Sequence, residues 1–219
     1  MDKNEEEVKV LGQNLISDDE IEKMAEEFME IEKSTLLKDK SVFPKIIVAS
    51  AIKENDKRAI IVAGVAGGEA WNSSESKREL MADFGKKVYS TGFKPGMVFL
   101  VSEAWLSVQP NKELNEVTMP SEDPNRKEVL IVNGLSIDGR SILKSCEFEH
   151  FGEEIRIKPD DIVKIAHEDG GKAESTLLKH FYMGYVKASS GEAPSGRTKI
   201  VRMGDSENLE EGNENETIH

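Results

Sequence analysis

Residues 96–108 read Gly-Met-Val-Phe-Leu-Val-Ser-Glu-Ala-Trp-Leu-Ser-Val. Met97, Val98, Phe99, Leu100 and Val101 form an unbroken apolar run with β-branched and aromatic types well represented. A run so short, with no polar alternation, has no wet face. It reads as a β-strand buried on both sides. The rest of the chain can be laid around it, with a hairpin and a helix before it and a long loop and a second hairpin after it.

Working upstream, residues 45–53 and 58–65 are strand-like and are joined by the polar Glu54-Asn55-Asp56-Lys57. That connection makes a hairpin. With Lys53 opposite Arg58, Ala49 falls opposite Val62 and Val48 opposite Ala63. A helix is expected to begin at Asn72, with Glu75 at its third position and Leu80, Phe84 and Val88 spaced by four. Thr91-Gly92 ends it. The glycine-rich Gly64-Val65-Ala66-Gly67-Gly68 lacks a Gly-Lys-Ser/Thr ending and is followed by Glu69. It reads as a link rather than a phosphate loop. Further upstream, Ser17-Asp18-Asp19-Glu20 fits a capping box, with Ile16 and Ile21 placed as a hydrophobic staple across it. Ile21, Met24, Ala25, Phe28 and Met29 continue at helical spacing as a core-facing stripe, and Pro44 stops the helix.

Downstream, residues 109–126 hold three prolines and no clear period, with room for a short strand at 113–117. Loops of this length inside a compact domain tend to be functional or disordered. Residues 128–137 and 141–151 flank Asp138-Gly139, a signal for a tight primed turn. Setting Ile137 opposite Arg140 brings Leu135 to Ile142, Ile131 to Cys146 and Val129 to Phe148, with Asn133 against Lys144. This register makes Cys146 a small core residue. Two short extended segments are expected at 153–158 and 162–167, around Pro159-Asp160-Asp161. A last helix is expected over 175–187, with Leu177, Leu178, Phe181, Tyr182 and Tyr185 on one side.

The fold class implied is α+β: a mostly antiparallel sheet of five or six strands, with helices covering the face to which the apolar pairs point. Residues 1–16 form an acidic N-terminal arm, residues 17–187 a single domain, and residues 188–219 an acidic tail expected to be disordered. The order α-ββ-α-β-ββ-(β)-α resembles that of the roadblock, profilin-like and PAS-like sensor folds. The resemblance is in element order, with no shared motif. It implies a domain for dimerisation, adaptor work or ligand sensing.

Composition narrows the partners. The 219 residues carry a net charge of −13, so the chain as a whole repels nucleic acid and anionic membranes. The single cysteine rules out an internal disulfide or a cysteine-based metal cluster. The N-terminus lacks the pattern of a signal peptide and no apolar run approaches ~18 residues, so a cytoplasmic setting is expected. No His-Glu-x-x-His, Gly-x-Ser-x-Gly or Gly-x-Gly-x-x-Gly pattern occurs, and the histidines are scattered at His150, His167, His180 and His219. Neither a metal nor a cofactor is expected, and no catalytic residue is assigned.

One place on the fold invites a site. Glu103 shares a strand face with Phe99, Val101 and Trp105, and a carboxylate there lies at a wet rim or must find a partner. Arg126, Arg140 and Arg156 are the candidates. Arg126 begins the second hairpin, and the register puts His150 opposite Lys127 at the same end. The candidate binding pocket is therefore Glu103, Trp105, Arg126 and His150, roofed by the loop at 109–126. A structural reading of the same residues has Glu103 pairing with Arg126 to fix that loop while Trp105 seals the core's edge. The leading function is a non-enzymatic binding, adaptor or sensor module for a protein or small-molecule partner, a second copy of the chain included. The alternatives are a small hydrolase-like enzyme using Glu103 and His150, and an acidic inhibitor of a basic nucleic-acid-binding protein. An enzyme needs those two side chains to reach a common atom. An adaptor needs an exposed apolar patch or a free sheet edge.

Overall fold

The structure, a computed structural model, describes residues 16–65, 73–107, 122–166 and 176–193. Their elements run α1 (Asp18–Asp39), β1 (Lys45–Glu54), β2 (Lys57–Gly64), α2 (Ser74–Ser90), β3 (Pro95–Leu106), β4 (Lys127–Ser136), β5 (Ser141–Phe151), β6 (Glu154–Ala166) and α3 (Thr176–Ser189). The strands form one curled antiparallel sheet in the order β2-β1-β3-β4-β5-β6. This is the expected α+β class and element order.

The apolar run of β3 explains the layering. Met97, Phe99 and Val101 point into a core that they share with Phe28, Met29 and Leu36 of α1. Val98 and Leu100 point the other way, into a second core with Phe84 and Val88 of α2 and Phe181 of α3. The expectation that helices shield one side is therefore corrected. A strand without a wet face needs a cover on each side, so α1 packs on one face and α2 with α3 on the other.

Local signals set the helix ends. Ser17 and Glu20 form the expected capping box, and Ile16 and Ile21 are both buried, as a staple requires. At the other end Lys40 adopts a left-handed conformation and its N–H donates to the Leu36 carbonyl. The second helix starts one residue later than expected, because Ser73 rather than Asn72 is its cap. Helices α2 and α3 meet backbone to backbone. A Cβ on Gly85 would lie 2.0 Å from the Phe181 carbonyl oxygen, and one on Gly184 would lie 1.9 Å from that of Ala82.

Three strand expectations change. In the first hairpin Asn55 and Asp56 both have positive φ, the mark of a type I′ turn, and Lys53 does face Arg58. Ala49, however, pairs with Ile60 and not Val62, because β1 bulges between Ala49 and Lys53. Arg58 holds the bulge, donating from Nη1 to the carbonyls of Ser50 (3.1 Å) and Ala51 (2.7 Å). In the second hairpin the register is one residue away from that expected. Leu130 faces Cys146, Val132 faces Lys144 and Gly134 faces Ile142. The loop has three residues, not two. The Gly139 N–H donates to Ser136, the Ser136 N–H donates to Arg140, and Gly139 takes positive φ. The apolar pattern could not exclude this slip, because β4 buries Leu130 and Val132 on one face and Leu135 on the other. Finally, the two segments around Pro159 are one strand, β6, with a register shift opposite Cys146 to Phe148. An edge strand tolerates proline at such a bulge.

Helix α3 continues two residues past the expected domain end at 187, and Glu192 beyond it pairs with Lys86 of α2. Apart from Ile16, the expected N-terminal arm lies outside the described residues, as do most of the glycine-rich link, the short strand at 113–117 and the tail beyond 193.

Candidate functional site

The predicted site residues fall at the end of the sheet where β3 leaves and β4 enters. Register fixes their rows on the α1 face. Glu103 is aligned with Leu130 and Cys146, and Trp105 with Glu128 and Phe148. Trp105 is 48% exposed, and the Arg126 guanidinium carbon lies 4.6 Å from its ring centroid, within cation–π reach.

Arg126 is delivered by a turn that the sequence reading passed over. The buried carboxylate of Asp123 accepts from the Ser107 hydroxyl and from the Asn125 N–H (2.8 Å). The Arg126 N–H donates to the Asp123 carbonyl at 3.1 Å. Asp123-Pro124-Asn125-Arg126 thus closes as a β-turn, with aspartate first and proline second. That signature was there to be read. Ser107, just after β3, ties the turn to the strand that carries Trp105.

Glu103 and His150 are engaged separately. Glu103 accepts from the Val42 N–H at 2.5 Å, which fastens the connection between α1 and β1 to the sheet. His150 Nε2 lies 3.5 Å from Glu128 Oε2, and its ring meets the edge of Phe148 at 5.7 Å between centroids. Four residues along the strand and two strands across put the Glu103 and His150 Cα atoms roughly 16 Å apart. The structure therefore brings Trp105 and Arg126 together, sets His150 beside Glu128, and leaves Glu103 with a different neighbour. Phe43, next to Val42, is largely exposed. On the opposite face of the same end, Arg156 covers the Phe151 ring at 4.0 Å.

A second surface feature lies at the far end of β4. An open groove of about 660 Å³ runs between the hairpin turn and α3, lined by Leu135, Ile137, Asp138, Lys179, Met183 and Val186. Burial alone would raise the Asp138 carboxyl. Hydrogen bonds from Arg140 and Ser136 outweigh it and hold the group below its ordinary range. Asp138 thus stays ionised and keeps the turn in shape.

Among the described residues, no three His, Cys, Asp or Glu side chains converge as a metal site would require. No helix among them is long and apolar enough to cross a membrane. Compared with known proteins, the chain matches no protein family, no curated protein and no solved structure. The arrangement itself must carry the reading. It offers an aromatic face, a guanidinium already stacked on it, and a carboxylate–imidazole pair alongside.

Proposed function

We propose that this chain is a non-enzymatic protein-interaction module whose contact point is the Trp105–Arg126 platform. One observation carries the reading: a half-exposed tryptophan already stacked under an arginine whose turn is anchored by the buried Asp123. Tryptophan and arginine are the residues most enriched among those that dominate protein interfaces. Holding them in place before binding removes much of the ordering cost of association. The separate engagement of Glu103 and His150 favours binding over hydrolysis, since general acid–base work needs contacts of ~3 Å to one substrate. A cytoplasmic setting accompanies the proposal, in keeping with a single cysteine, Cys146, that is buried in the core.

The test compares capture from the source cell's extract by the full chain and by two variants with intact circular dichroism. Trp105→Ala removes the platform, and Val186→Ser alters an exposed residue of the distant groove. A partner held by the wild type and by Val186→Ser, but bound ~30-fold or more weakly by Trp105→Ala, supports the proposal. Equal capture by all three proteins overturns it.

A further inference from the structure

The two edges of the sheet are built differently. Strand β6 is protected: it carries the Pro159 bulge and exposed charges at Glu154, Arg156 and Lys158. Such features are how edge strands avoid pairing with another chain. Strand β2 has none of them over residues 59–64, Ala-Ile-Ile-Val-Ala-Gly. It pairs one-to-one with β1 from Lys45 to Ala49, with no irregularity over that length. Among the described residues, no strand pairs with its outer side. Helix α1 lies over β4, β5 and β6, and on that same face Ile60 and Val62 are 47% and 41% exposed.

We infer that β2 is the interface of a homodimer, in which the β2 strands of two copies pair antiparallel about a two-fold axis. The charge pattern selects this occupant. Lys57 and Arg58 stand at one end of β2, and the other end, Ala63 and Gly64, is uncharged. An antiparallel two-fold sets each copy's cationic end against the partner's neutral end, so like charges never face one another. Arg58 is in addition already bonded to Glu20 in its own chain. Ile60 of one copy then meets Ile60 or Val62 of the other on a single face. Four half-exposed aliphatic side chains become mutually covered, and the sheet becomes continuous across twelve strands. A parallel mate would place Lys57 beside its own copy. This inference is independent of the Trp105 platform, which stands on β3 and is separated from β2 by β1.

The experiment is sedimentation velocity on the full-length chain from about 1 to 100 μM in ~150 mM salt. The wild type is expected to sediment as a dimer of the 24.4 kDa chain. Ile60→Lys and Ile60→Glu, each separately, are expected to be monomeric at the same concentrations. An equimolar mixture of the two is expected to recover the dimer, which also proves that both variants are folded. A wild type that stays monomeric at 100 μM overturns the inference. So do a dimer indifferent to both substitutions and a mixture no more associated than its components. A wild-type monomer that dimerises only after removal of residues 1–15 would mean the chain covers its own edge, and that overturns the inference as well.

Discussion

Glu20 holds three elements with one carboxylate. It closes the capping box of α1, pairs with Lys53 of β1 at 2.5 Å and with Arg58 of β2 at 3.0 Å. Burial alone would raise its pKa, but the hydrogen bonds from Lys53, Arg58 and Ser17 prevail and lower it from 4.5 to about 2. A carboxylate whose folded pKa is depressed contributes stability above its unfolded pKa and loses it as pH falls through the folded value. The window here runs from about pH 4.5 down to about pH 2. Glu20→Gln should therefore cost about 1 to 2 kcal/mol at pH 7, after discounting for solvent around so exposed a group. Urea unfolding should show wild type and variant converging as pH falls through that window. A constant difference down to pH 2 would refute the assignment. Half of this residue's role could be read from the chain. The capping box is local and announces itself within four residues. Lys53 and Arg58 lie on other elements and meet Glu20 only once the chain has folded, and no local spacing announces contacts so distant in sequence. The site was legible to a similar degree. Trp105 and Arg126 were named from strand order alone, but Asp123, the residue that orients the arginine, was missed in a segment with no clear period.

Between elements, the α2–α3 contact is the least forgiving. Gly85 and Gly184 let the two backbones touch, and the aromatic pairs Phe84–Phe181 and Tyr89–Tyr185 close around them at 5.8 and 5.2 Å. Tyr185 also donates to the Phe93 carbonyl at 3.1 Å, binding α3 to the chain between α2 and β3. In an isolated helix Gly→Ala would gain ~1 kcal/mol. Here Gly85→Ala should lose about 2 kcal/mol or more, since its methyl group meets main chain, which cannot swing aside. Chemical denaturation decides the sign, and a stabilised variant would show that the helices sit further apart than described. Strand pairing was less legible than strand identity. The β5 ends agree with expectation, yet the β4–β5 register moved by one residue. Alternation specifies register only when one face is wet, and β4 has two dry ones. The left-handed Gly139 and the Asp138–Arg140 pair (2.8 Å) settle what hydrophobicity left open.

At the scale of the molecule, two cores share one sheet. Adjacent residues of β3 alternate between them, so neither core can come apart without moving the backbone of the other. The class and order of elements were readable because each segment carries its own period. The placement of helices on both faces was not, although the dryness of β3 already required it. Cys146 gives a test of the coupling. It is buried in the core with α1, while Phe84 belongs to the opposite core. Phe84→Ala should cost about 3 to 5 kcal/mol and speed thiol labelling of Cys146 by the same factor by which it lowers global stability. An unchanged labelling rate would mean that the two cores open separately.

Helix α1 is the first described element to leave the ribosome, yet it rests on β4, β5 and β6. Its start is clamped by Arg140, which donates to Asp18 and to the Ile16 carbonyl. At roughly 5 to 20 residues per second, its greasy stripe stays naked for many seconds after synthesis, until the second hairpin arrives. Nascent chains stalled before residue 140 should therefore recruit holding chaperones through this helix, and those released after β6 should not.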